Sequence, residues 1–138
     1  MNRVLSGIIG GLIGGVVFGI ILQTADLIAT VGRLVGTEGA GVGWVTLLVI
    51  TGVLGAVYAL TFGRAEQTWG KGIAFGLAHG VIWWVLGVLV IQPVITGAAF
   101  GAITTATWLN LVGYLVHGLV AGLAVTATVQ RSEAPQPA

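Results

Sequence analysis

Two side chains could do chemistry inside the apolar body of this chain, His79 in "FGLAHGVIWW" and His117 in "LVGYLVHGLVAGL". An imidazole accepts and releases protons near neutral pH and is a common metal ligand. Within a membrane such a residue faces the bundle interior and is a functional candidate by default. At ~1.5 Å rise per helical residue, His79 lies about 12 Å from Lys71 and His117 about 14 Å from Trp108, so both fall near mid-depth of a core about 30 Å thick. Three chemistries suit such a pair. The imidazoles could ligate a b-type haem iron axially, with Gly76, Gly80, Gly113 and Gly118 leaving room for the macrocycle and Trp83 and Tyr114 lining it. They could hydrogen-bond across helices to Tyr58, Tyr114, Asn110 or a threonine, which is the simplest role of an intramembrane polar group. They could also line a proton or solute path. Asn110, Tyr114, His117, Ala121 and Thr128 share one helical stripe, which directs that face inward.

Other chemistries lack their residues. There is no cysteine, hence no disulfide or thiolate site. Asp26, Glu38, Glu66 and Glu133 lie outside the apolar stretches, and the only serines are Ser6 and Ser132. Neither paired carboxylates nor a Ser-His-acid constellation can assemble in the core, and no acidic group completes a metal set other than haem. The sequence therefore predicts no enzyme. "GIIGGLIGG" lacks the Lys-Ser/Thr ending of a phosphate loop, and a net charge of +1 without a basic run excludes a nucleic-acid partner.

The elements that must position the histidines follow from composition. Of 138 residues 57% are hydrophobic and 7% charged, against about a quarter charged in soluble domains. With a mean hydropathy of +1.07, most of the exterior must face lipid. Four charge-free stretches of near-spanning length, residues 4–22, 42–62, 73–91 and 109–125, predict an all-α integral membrane four-helix bundle occupying residues 1–129, followed by a disordered tail at 130–138. The first stretch reads as an uncleaved span, because it is longer than a signal-peptide core and Gln23 spoils the cleavage site. Arg3, Arg64, Lys71 and Arg131 fall on one side and Arg33 on the other, which predicts cytoplasmic termini in the cell membrane. Trp44, Trp69 and Trp108 sit at span ends as interfacial anchors, whereas Trp83 and Trp84 lie deeper.

Between the first two spans, Leu27, Ile28, Val31, Leu34 and Val35 recur at helical spacing opposite Asp26, Arg33 and Thr37, predicting an amphipathic surface helix. Gly36, Gly39, Gly41 and Gly43 should break it before the second span. Pro93 should stop or kink the third span, and the uncharged 94–107 stretch either dips into the membrane or extends the fourth.

Glycine accounts for 24 residues. Gly7, Gly11, Gly15 and Gly19 recur every fourth position, as do Gly72, Gly76 and Gly80, and then Gly118 and Gly122. In lipid, helices associate through small residues that let backbones approach, so these glycine-zipper, GxxxG-type faces are packing surfaces. They serve either the bundle itself or a homo-oligomer or larger membrane complex. A shift of 61 residues lays Gly11, Gly15 and Gly19 over Gly72, Gly76 and Gly80, and one of 63 lays Gly55 over Gly118, suggesting a tandem repeat of two-helix units.

The segments "GKGIAFGLAHGVIWWVLGVLVIQP" and "LVGYLVHGLVAGL" resemble small uncharacterised glycine-rich four-span membrane proteins of bacteria and haloarchaea, over most of the chain. In those proteins the fourth span tends to carry a His beside the glycine that is Gly113 here, and a Tyr where His117 stands. This chain has Tyr114 and His117, the reverse order, so the resemblance implies the fold and no ligand role. The expected function is a structural or accessory membrane protein in contact with the lipid bilayer. A haem b electron-transfer protein and a small transporter or channel are the alternatives.

Overall fold

The computed structural model of the chain describes residues 2–65 and 68–133. Glu66, expected outside the spans, lies outside the described residues, as do Pro135 and Pro137 of the tail. In chain order the elements are α1 (Arg3–Thr24), α2 (Ile28–Val31) with a 3₁₀ turn (Gly32–Val35), α3 (Ala40–Thr61), α4 (Trp69–Trp84), a π-helical stretch (Val85–Ile91), α5 (Gln92–Thr96) and α6 (Thr105–Glu133). Four helices are long and apolar enough to cross a membrane, with α4, the π stretch and α5 forming one continuous span, Trp69–Thr96.

The helices begin where the sequence supplies a polar cap. Asn2 accepts from the Leu5 amide through its side chain, and Thr68 does the same for Lys71. The end of α1 is closed by paired bonds, Leu27 N–H to Leu22 O at 2.8 Å and Asp26 N–H to Gln23 O at 3.2 Å. They need a left-handed residue, and Asp26 takes that place at φ 57° where glycine is usual. Hydroxyls inside the spans satisfy themselves on the preceding turn, as Thr51 does with Leu47 O at 2.9 Å.

Glycine decides how the spans meet. A Cβ at Gly7 would strike the Gly55 carbonyl, one at Gly11 the Thr51 carbonyl, and one at Gly15 the Thr51 side chain, so this face of α1 is closed against α3. The adjoining stripe of α1 seats Gly10 on Ala121 and Ala124, and Gly14 on the backbone of His117. On the other side of α6, Gly118 lies against Gly76, Gly122 against Gly72, and Gly80 against Tyr114 O. Approaches this close admit Cα–H···O contacts worth about 0.5–1 kcal/mol each. Gly19 differs, since the Trp44 ring rather than a helix backbone fills its place. The resulting order is α3–α1–α6–α4, with α1 and α6 central. The backbones of α3 and α4 stand apart.

Arg3 donates to Gly63 O, and Gly72 meets Thr126. These contacts bring Arg3, Arg64, Lys71 and Arg131 to the end of the bundle that holds both described termini, whereas Arg33 lies at the α2 end.

Several boundaries differ from the sequence expectation. The surface helix is shorter: one α turn passes into a 3₁₀ turn that Gly36 ends at φ 85°, and Ile28 is 1% exposed. It docks on the bundle instead of lying free, because Gly43 lets the Ile28 carbonyl reach α3. Gly41 and Gly43 accordingly belong to α3 rather than breaking it. Pro93 does not end the third span. Its missing N–H falls in the segment where bonding has widened to the π pattern, as in Gln92 N–H to Gly87 O, so the helix continues to the left-handed cap at Gly97. Residues 94–107 therefore split between the end of α5, a connection and the first turn of α6. The tail expected from residue 130 is helical through Glu133, and the Ser132 hydroxyl donates to Thr128 O one turn back at 2.9 Å.

Candidate functional site

His79 projects from α4 and His117 from α6. The close α4–α6 contact through Gly76, Gly80 and Gly118 brings the ring centroids to 6.3 Å, with planes at 37°. The two residues are 3% and 0% exposed. His117 Nδ1 lies 3.3 Å from Gly11 O on α1. Since a carbonyl only accepts, Nδ1 carries the proton and Nε2 is left as a bare lone pair. The His79 ring faces the Leu54 backbone on α3. The Nε2 atoms of both rings are buried and have no hydrogen-bond partner among the described residues. Leaving such an atom unpaired in an apolar interior costs about 1–3 kcal/mol, and a bare imidazole lone pair is a hydrogen-bond and proton acceptor.

These polar contacts run to main chain, not to the side chains that the sequence offered. Tyr58 meets His79 ring to ring, at 5.3 Å and 80°, and is fully buried. Asn110 bonds Ala106 O on its own helix at 2.9 Å. Tyr114 packs edge-on against Phe18, with centroids 5.0 Å apart. The glycines expected to make room for a macrocycle are filled by protein: Gly76, Gly80 and Gly118 by facing backbone, Gly113 by the Phe18 ring. Of the aromatic pair, Trp83 contacts His79 at 6.2 Å. Trp84 turns the other way, donating to Thr107 O at 2.9 Å and stacking on Trp108 at 6.1 Å.

The gap between α3 and α4 changes character along its length. Towards the terminal end it is filled with rings, Tyr58, Phe62 and Phe75, the last two stacked at 5.3 Å. Towards the α2 end it opens into a cavity of about 220 Å³. Leu54, Trp83 and Tyr114 line its inner part, and Thr30 and Leu34 come from the α2 segment. Asn110 and Gln92 also line it, but neither histidine does. His79 lies just beneath, through its contacts with Leu54 and Trp83. Gln92 and the α2 segment were missed as site residues in the sequence. The only local signal was Pro93, whose missing N–H accompanies the π turn that aims Gly87, Val88 and Ile91 into the cavity.

No protein family, curated protein or solved structure matches the chain.

Proposed function

We propose that this is a small multi-pass membrane protein with a structural or accessory, non-catalytic role, its termini on the cytoplasmic side of the cell membrane. The observation that carries the reading is that the glycine faces are used within one chain, where they close α1 on α3 and α6, and α4 on α6. The basic residues gathered at the terminal end support the orientation. The glycine contacts that close α1 on α3 and α6 on α4 support a pair of repeated two-helix units. A partner, whether a second copy or a larger complex, then has the outer face of the Trp69–Thr96 span to use. Only 17% of its apolar window is buried, against 44%, 39% and 44% in the others. The test is purification of the tagged protein from native membranes beside Val81→Trp and Ile82→Trp, both on exposed positions. Self-association or a co-purifying protein, lost in these variants with monomer stability unchanged, supports the reading. A monomer with turnover of its own overturns it.

A second reading, a b-type haem held by His79 and His117, is favoured by the two bare Nε2 atoms. It requires the α4–α6 contact to open, because Gly76, Gly80 and Gly118 are filled by facing backbone. An absorption spectrum before and after dithionite tests it, with His79→Ala and His117→Ala as controls. A Soret band lost in both variants supports haem, and a colourless protein made with haem available removes it. The path reading draws only on the cavity beside Asn110, which His117 does not line.

A further inference from the structure

The cavity combines four properties. It is walled mainly by apolar and aromatic side chains, and no charged residue among those described lines it. It contains neutral hydrogen-bonding residues, Tyr114, Asn110 and Gln92. The Tyr114 hydroxyl has no hydrogen-bond partner among the described residues, and neither does the Asn110 amide oxygen. The cavity also lies where the α3 and α4 backbones stand apart, and on the proposed membrane reading, on which this inference rests, that gap borders the hydrocarbon core. An apolar pocket with a few convergent polar groups is the usual form of a small-molecule site.

Size and chemistry narrow the ligand. A cavity of about 150 Å³ accommodates benzene, so about 220 Å³ suits one substituted ring, not a whole lipid. With no charged lining residue among those described, an ionic head group does not fit, since its burial without a partner is prohibitive. Tyr114 offers a donor and Asn110 an acceptor, which match a hydroxyl or carbonyl oxygen on that ring. Gly87 in the π stretch keeps the donor accessible, because a Cβ there would come within 2.9 Å of the Tyr114 oxygen. We infer that the cavity between α3 and α4 binds a neutral, bilayer-dissolved amphiphile with a single oxygen-bearing ring, its alkyl tail leaving between the two helices.

The test titrates the full-length protein in lipid nanodiscs with 4-decylphenol and, separately, with decylbenzene, which has the same ring and tail without the oxygen. The readout is the Trp83 indole N–H resonance, assigned by its loss in Trp83→Phe. Saturable shifts with decylphenol, at least ten-fold tighter than with decylbenzene, are expected. Tyr114→Phe should weaken decylphenol about ten-fold while leaving decylbenzene unchanged, and Gly87→Leu should abolish both. Leu54→Phe fills the cavity from α3 and serves if Gly87→Leu does not fold. Equal affinity for the two probes, binding that never saturates, or full binding by the filled variant would each overturn the proposal.

Discussion

Between α1 and α6 the helices meet backbone to backbone, with Gly10 on Ala121 and Gly14 on His117. Between α3 and α4 the backbones stay apart, and the gap holds aromatic rings at one end and a cavity at the other. If the chain is two copies of a helix pair, these seams are equivalent by symmetry, yet one is shut and the other open. The difference lies in which residue faces the neighbour. Glycine allows the close approach that lipid cannot otherwise drive, whereas Tyr58 on α3, Phe62 at its C-cap, and Phe75 and His79 on α4 act as spacers. His79 and the aromatic rings therefore collect at the open seam, while His117 is held at the shut one.

The sharpest way to break this contrast is to crowd a shut seam. Gly118→Leu and Gly11→Leu place side chains on backbone carbonyls that cannot move aside, and each should cost at least about 3 kcal/mol. Unfolding from detergent into SDS, followed by circular dichroism, measures it, and unchanged curves would show that the helices do not pack so closely. Next in size is Phe18→Ala, which empties the hollow over Gly113 and should cost about 3 kcal/mol by cavity formation. The same unfolding assay reads it.

The two histidines sharpen the comparison. His117 is wedged against Gly11 and Gly14 at a shut seam, whereas His79 borders the open one. His117→Leu should therefore cost about 2 kcal/mol more than His79→Leu, since overpacking has nowhere to go. Equal costs would mean that the α3–α4 gap is as tightly filled as the α1–α6 contact. Smallest of all is Gly41→Ala, where nothing lies within 4 Å and helix propensity alone predicts a gain of about 1 kcal/mol. A loss there would reveal a contact made by a partner.

Much of the scaffold was legible in the residues. Charge-free runs of spanning length give the four helices, and the every-fourth-residue glycines name the surfaces that close, because in lipid few other devices bring helices together. The level of His79 and His117 followed from counting a fixed rise per residue. The Val85–Ile91 turn was legible only in part. Pro93 announces a disturbance, but whether the helix stops, kinks or widens depends on what the neighbouring carbonyls find.

By itself, then, the sequence determined that the chain is helical, where its apolar spans run and which residues are small enough for contact, since these follow from local composition and period. Only the tertiary structure decided which helix each glycine face meets. It also decided that the imidazoles face main-chain groups and leave Nε2 bare, and that a cavity opens beside Asn110. Those outcomes depend on pairings between residues far apart in the chain, such as Gly11 with His117, which no local pattern encodes.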